Sequence, residues 1–299
     1  MGYLSQKKKY EKTKEILNLS LIGLLFCCVL LLFYKESYIS QKIRPWLFQI
    51  YIFTLIAIIY AGISKFYWHT LGLIVCSVFL FFNLARGGNL FFNVETKGTQ
   101  NLNILYQIDG KNILENIEQI KTEHVDIATI LKNSTEKVKE MPSIPQIINL
   151  DNGLIFSKYK VFRSGEVLLS EQGKAVFADI KIKNMKLMLI TLNFSALSSK
   201  EQEISLHNLA EFINMQDIPV IVIGDFGQES WSINFLSFLE KTKLEVKNSI
   251  ILRNGGFFFN PLKVPTINVL AYKDFGIQKI NFLPATKDNK HPLLIRLNY

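Results

Sequence analysis

The sequence predicts an α/β domain of two packed mixed β-sheets with helices outside, carried behind three membrane helices. Three observations lead there. The segments Ile16 to Tyr34, Trp46 to Gly62 and Phe66 to Leu84 are nearly charge-free runs of 17 to 19 residues, close to the ~20 that a helix needs to cross a bilayer core. After residue 86 the composition becomes that of a globular domain of about 200 residues, long enough for a core of its own. In that domain strand-like segments come in pairs separated by single helix-like segments.

The first apolar run follows Lys7, Lys8, Lys9, Lys12 and Lys14, as the core of a signal peptide would. It exceeds the usual length of such a core and ends in Phe-Tyr-Lys-Glu without small residues for cleavage, so a retained helix is expected. The lysine-rich start favours a cytoplasmic N-terminus, and three crossings then place the domain on the exterior side. Tyr34, Trp46, Tyr67 and Trp68 lie near the ends of the runs, where amphipathic rings favour the interface. His69 reads as interfacial. The organisation expected is a membrane region over 1–86, a linker over 87–99 that starts at the hinge-like Arg86-Gly-Gly, and a domain over 100–299.

Within the domain, Leu102 to Ile108 reads as a strand, Ile113 to Lys121 as an amphipathic helix and Asp126 to Leu131 as a short apolar strand. Gly153 to Phe156, Val176 to Ile182 and Lys186 to Asn193 read as strands, followed by a helix over Glu201 to Met215. Pro219 to Ile223 has the continuous apolarity of a buried strand and stops at Gly224-Asp225. A helix over Ile233 to Glu240 and strands at Thr266 to Tyr272 and Pro292 to Leu297 complete the chain. Ile104, Ile130, Ile155, Leu189, Val222, Val269 and Ile295 are the expected core, each worth roughly 1.5 to 3 kcal/mol on burial. Periodicity alone leaves several α/β arrangements open.

Charge and cysteine narrow the function classes. Of 34 basic and 25 acidic residues, ten basic and three acidic lie in 1–86, which leaves 24 and 22 for the rest. The net charge of +9 therefore belongs mostly to the membrane region, and the domain gives no strong nucleic-acid signal. Cys27, Cys28 and Cys76 all fall within the apolar runs. The domain thus has no disulfide framework, thiolate metal site or cysteine nucleophile.

Five short stretches carry a resemblance. Asp126-Ile-Ala-Thr-Ile-Leu-Lys132 is similar to an Asp-Val-Val-Ala-Leu-Gln-Glu strand, and Gly153-Leu-Ile-Phe-Ser-Lys-Tyr-Lys-Val161 to Gly-x-Ala-Ile-Leu-Ser-Arg-Tyr-Pro-Ile. Met188-Leu-Ile-Thr-Leu-Asn193 is similar to a strand ending in Asn-Thr-His, and Pro219-Val-Ile-Val-Ile-Gly-Asp-Phe-Gly227 to Pro-Val-Ile-Val-x-Gly-Asp-Phe-Asn. Asp288-Asn-Lys-His-Pro292 looks like an altered Ser-Asp-His-x-Pro. In this order they resemble the endonuclease/exonuclease/phosphatase (DNase I-like) superfamily. The resemblance implies a four-layer sandwich and phosphoester hydrolysis assisted by a divalent metal. Such a cation, Mg²⁺ above all, takes oxygen ligands, an imidazole moves protons, and a carboxylate orients the attacking water.

Carried over position by position, the resemblance implies that almost none of this apparatus is kept. The first-strand Asn falls on Gln107, the metal-binding Glu on Lys132, the strand His on Asn193, and the Asn of Gly-Asp-Phe-Asn on Gly227. The final Asp-His pair falls on Asn289 and Lys290, and His291 matches only after a one-residue slip. The Asp-His often found in the preceding strand falls on Asn268 and Val269. Asp225 alone is retained. A lysine in place of the metal carboxylate would oppose Mg²⁺ by about 4 kcal/mol for unit charges in contact at a dielectric of roughly 20.

The expectation is a pseudoenzyme with no catalytic or metal set intact and no cofactor. In it Lys132 Nζ fills the metal's place and pairs with Asp225 within about 4 Å. Its expected partners are the lipid bilayer and another membrane or exterior protein. The competing reading is a Mg²⁺-dependent phosphodiesterase or phosphatase with a rearranged set of Asp225, Gln107, Glu229 and His291. Plainer readings stand beside these. Asp225 can cap the turn after its strand, Asn193 can be a turn residue, and Lys132 can be a solvated strand-end lysine. His124, His207 and His291 read as surface histidines, and Gly255-Gly256 before Phe257-Phe-Phe259 as a turn entering a strand.

Overall fold

A computed structural model describes residues 2–33, 43, 46–85, 100–108, 123–131, 146–183, 185–247, 267–272, 275–283 and 292–299. The chain divides into two compact units, one of helices and one of sheets.

The helical unit contains α1 (Gly2–Phe33), α2 (Leu47–Ile63) and α3 (Tyr67–Ala85). Leu17, Ala61, Phe66 and Leu73 form its buried contact. Gly72 brings α3 close to Leu21, whose methyls lie 3.1 Å from where a β-carbon would stand. His69 Nε2 lies 2.6 Å from Asn18 Oδ1, a polar tie between α1 and α3. Among the described residues one stretch, Tyr67–Leu84 in α3, is long and apolar enough to cross a membrane. Of the three expected spans, this one meets both requirements among the described residues. The described part of α2 is apolar but has 17 residues, about 25 Å at 1.5 Å per residue. The first half of α1 carries the lysines.

The second unit holds two six-stranded mixed sheets. The first consists of β1 (Asn101–Ile108), β2 (Ile127–Leu131), β3 (Gln146–Asn149), β4 (Gly153–Ser157), β11 (Gly276–Phe282) and β12 (Leu293–Asn298), ordered β11-β12-β1-β2-β4-β3. The second consists of β5 (Lys160–Leu168), β6 (Lys174–Ile182), β7 (Met185–Asn193), β8 (Val220–Asp225), β9 (Glu245–Val246) and β10 (Ile267–Ala271), ordered β5-β6-β7-β8-β10-β9. Each sheet has one parallel pair at its middle, β1 with β2 and β7 with β8, and antiparallel pairs elsewhere. Helices α4 (Ser199–Asn214) and α5 (Ile233–Thr242) accompany the second sheet. The Ser198 hydroxyl caps α4 by accepting from Glu201 N.

All seven expected core residues are buried. Five of them, Ile104, Ile155, Leu189, Val269 and Ile295, face the core between the sheets. Ile130 and Val222 belong instead to the outer apolar layers, because successive side chains of a strand point to opposite faces. The predicted strands and the helices at 201–215 and 233–240 are present. Four strands escape a sequence reading. β5 is an edge strand without a fully buried residue, so it lacks an apolar period. β9 has two residues, β3 has no fully buried side chain, and β11 draws its place from pairing with β12. The helix expected over 113–121, the linker over 87–99 and the segment 255–259 lie outside the described residues.

Candidate functional site

The parallel pair β7–β8 builds the centre of the site. Asn193 and Asp225 end these strands as register partners, and Phe194 N donates to Asp225 O at 2.6 Å just beyond. By alternation Asp225 shares the face of Ile221 and Ile223, and Asn193 that of Leu187 and Leu189, which is the face turned to the first sheet.

Both side chains are already engaged locally. Asp225 Oδ1 accepts from Gly227 N at 2.9 Å, and Asn193 Oδ1 accepts from Ser195 N at 3.1 Å and from Ser195 Oγ at 2.7 Å. These are Asx turns, in which a short polar side chain satisfies the backbone that follows a strand. Asp225 and Asn193 are thus both turn residues in their local bonding.

Gly227 marks the corner. Its φ of +69° is left-handed, and an added β-carbon would stand 2.5 Å from Phe194 O and 2.3 Å from Gln202 Nε2. Gln202, from the first turns of α4, sends its amide to Phe194 O, Leu197 O and Gly227 O at 3.2, 3.1 and 3.3 Å. One side chain therefore holds together the loops after β7 and β8, and a glutamine end can move whereas the Phe194 carbonyl cannot. Gly227→Asn, the residue implied by the resemblance, is expected to cost about 1–3 kcal/mol through overpacking and to gain no Mg²⁺ affinity. Denaturant unfolding and calorimetric Mg²⁺ titration check the two parts.

From the first sheet, Tyr106 reaches across. Its hydroxyl donates to Leu192 O at 2.7 Å in a fully buried contact between the sheets. Burial, and then the charge of Asp225, hold the phenol well above its ordinary pKa and so protonated. Gln107, the next residue, is 2% exposed, and neither amide atom has a partner among the described residues. Thr129 and Thr191, on the two sheets, bury hydroxyls in the same condition. Lys132, Asn289, Lys290 and His291 lie outside the described residues, and so does the expected Lys132–Asp225 pair. Asn268 is fully buried in β10. His124 and His207 are exposed.

Glu229, in the loop after β8, is half-buried, and burial raises its carboxyl pKa. A folded-state pKa above the unfolded value means that the folded chain binds the proton more tightly. Stability from this group is then greatest at low pH and falls as pH rises from the ordinary glutamate range through the raised value. Glu229→Gln is expected to flatten that fall and to stabilise the protein at neutral pH, as urea unfolding at several pH values will show.

Mg²⁺ takes oxygen ligands, chiefly carboxylates. At this corner the described residues supply Asp225, one of whose oxygens caps the next turn. They contain no cluster of three or more His, Cys, Asp or Glu that would hold a metal. Sequence reading missed Tyr106 and Gln202. Tyr106 depends on a partner 86 residues away and Gln202 on a loop 25 residues away, and only the adjacency of Tyr106 to Gln107 hinted at the first.

Two mixed sheets face to face, with Asp225 at the end of the central parallel pair of the second, define the endonuclease/exonuclease/phosphatase fold. Solved structures agree. An endonuclease/exonuclease/phosphatase family protein from Bacteroides thetaiotaomicron is similar over 66% of this chain and 97% of its own, with a TM-score of 0.51 and 12% identity. Humanized D. rerio TDP2 is similar over 67% of this chain and 100% of its own, with a TM-score of 0.52 and 12% identity. The mannosyl-6-phosphatase of Bacteroides thetaiotaomicron is similar over 66% of this chain and 100% of its own, with a TM-score of 0.50 and 13% identity. No family model and no curated protein matches the sequence.

Proposed function

We propose that this chain is a membrane-anchored, non-catalytic binding or scaffolding module built on the endonuclease/exonuclease/phosphatase fold. The observation that carries the reading is the closed corner at Gly227, where Gln202 Nε2 and the Phe194 carbonyl take the space of a side chain. The turn-capping role of Asp225 and the exchange of a metal carboxylate for Lys132 support it. In this reading three helices within 1–86 anchor the chain, the N-terminus is cytoplasmic and the domain is exterior, where it holds a membrane or exterior protein. The apolar α3 and the lysine-rich start support the anchoring and the topology. Reporter fusions after residue 95 test the topology, and a cytoplasmic signal there reverses it.

A second reading, a metal-dependent phosphodiesterase with rearranged residues, draws on the retained Asp225 and the unpartnered amide of Gln107. The experiment that decides is made on the full chain in detergent, with Mg²⁺ or Mn²⁺ and nucleic acid, phosphoinositide or simple phosphodiester substrates. No metal binding and no turnover are expected. Metal-dependent turnover that disappears in Asp225→Ala overturns the binding module.

A further inference from the structure

The second sheet carries a row of like charges that its own strands do not explain. Lys160 on β5 is the register partner of Lys181 on β6, and Lys181 is the partner of Lys186 on β7. Like charges directly opposite each other destabilise a sheet. All three lysines are exposed, and no ion pair joins them to a carboxylate among the described residues. The nearest acid along β6, Asp179, is taken by Arg163 Nε at 2.7 Å. Lysine on an edge strand blunts edge-to-edge pairing, which accounts for Lys160. It does not account for Lys181 or Lys186, because β6 and β7 are interior strands.

An apolar side chain stands among these cations. Phe162 is 51% exposed, with Lys160 Nζ 5.0 Å and Lys186 Nζ 5.7 Å from its ring centre. Its neighbour Arg163 donates through Nη2 to Gln216 Oε1 at 2.9 Å, and Gln216 follows Met215, which is 73% exposed. The exposed Phe162 and Met215 are thus the chain neighbours of the two residues joined by this hydrogen bond, and two of the three lysines stand over the Phe162 ring. Lysines on anionic headgroups with an aromatic and a methionine in the acyl boundary is the pattern of a surface that lies on a bilayer. A nucleic-acid site would bring aromatics and cations into a groove, whereas these lysines stand exposed side by side on three neighbouring strands.

We infer that the Lys160–Lys181–Lys186 row with Phe162 docks the domain on an anionic lipid surface. This use of the sheet is separate from the closed corner at Gly227. It rests on the membrane-anchored reading only in that the anchor would keep lipid within reach.

The test uses the full chain in phosphatidylcholine nanodiscs, titrated with vesicles of phosphatidylcholine alone or with phosphatidylglycerol. Flotation is expected only with the anionic vesicles. The triple change Lys160→Gln, Lys181→Gln and Lys186→Gln is expected to weaken it by about a hundredfold, the combined effect of three cations at such a surface. Phe162→Trp, read against the unsubstituted chain, should show a blue-shifted emission with anionic vesicles. Three outcomes overturn the inference: equal flotation with both vesicle types, undiminished flotation of a triple variant that keeps its circular dichroism, or emission from the Phe162→Trp variant that answers to an oligonucleotide and not to vesicles. Alkaline extraction of native membranes tests the anchor by itself, so loss of the anchor and loss of the docking surface are separately visible.

Discussion

Phe226→Ala is expected to lower the stability of the sheet domain by about 3–5 kcal/mol, the cost of deleting a buried phenylalanine and leaving a cavity. Phe226 follows Asp225 directly and is fully buried. Its ring centre lies 5.1 Å from Phe235, 6.1 Å from Phe238 and 6.4 Å from Phe194, with near-perpendicular contacts to Phe235 and Phe194. These edge-to-face contacts add to the buried area. The ring fixes α5 and the loop after β7 on the end of β8, and so sets where Asp225 stands. Unfolding followed by pulse proteolysis of the full chain measures the loss. A change below about 1 kcal/mol, the level of an ordinary surface substitution, would show that this cluster does not hold the site.

Gly224→Ala should cost about 3 kcal/mol, at the upper end of overpacking effects. A β-carbon at Gly224 would stand 2.3 Å from Leu192 O and 2.8 Å from that residue's Cγ. Leu192 is the register partner of Gly224 on the parallel neighbour strand, so its backbone has no room to retreat. The same Leu192 oxygen accepts the Tyr106 hydroxyl, and moving it strains the bond between the sheets. Tyr106→Phe alone should cost about 1 kcal/mol, a hydrogen bond's usual worth. The double variant should cost less than the two losses added, because both act on one carbonyl. Strict additivity in denaturant unfolding would remove Leu192 O as the shared point.

Much of the fold was legible because burial writes itself into residue order. Val220 to Ile223 is apolar without interruption since both faces of β8 are covered, and the Gly-Asp that follows marks where the strand leaves the core. The edge strand β5 was illegible for the opposite reason: with no fully buried residue it has no period to detect, although it anchors the lysine row. Of the candidate site, the strand ends at Asp225 and Asn193 could be read from the residues, because each closes an apolar run. Their turn-capping bonds, and the closing of the corner by Gln202, depend on how the loops after β7 and β8 fold back.

From residue order alone come the apolar helical region, the split of charge between the two parts of the chain and the α/β class. Each is a property of composition, period or position along the chain, which local physics makes readable. Tertiary structure decided which distant groups share an atom or a face. Tyr106 and Gly224 meet at one carbonyl 86 and 32 residues away along the chain, Gln202 bridges two loops, and three lysines from three strands align in one row. Such neighbours are set by strand order and register, which residue spacing does not encode.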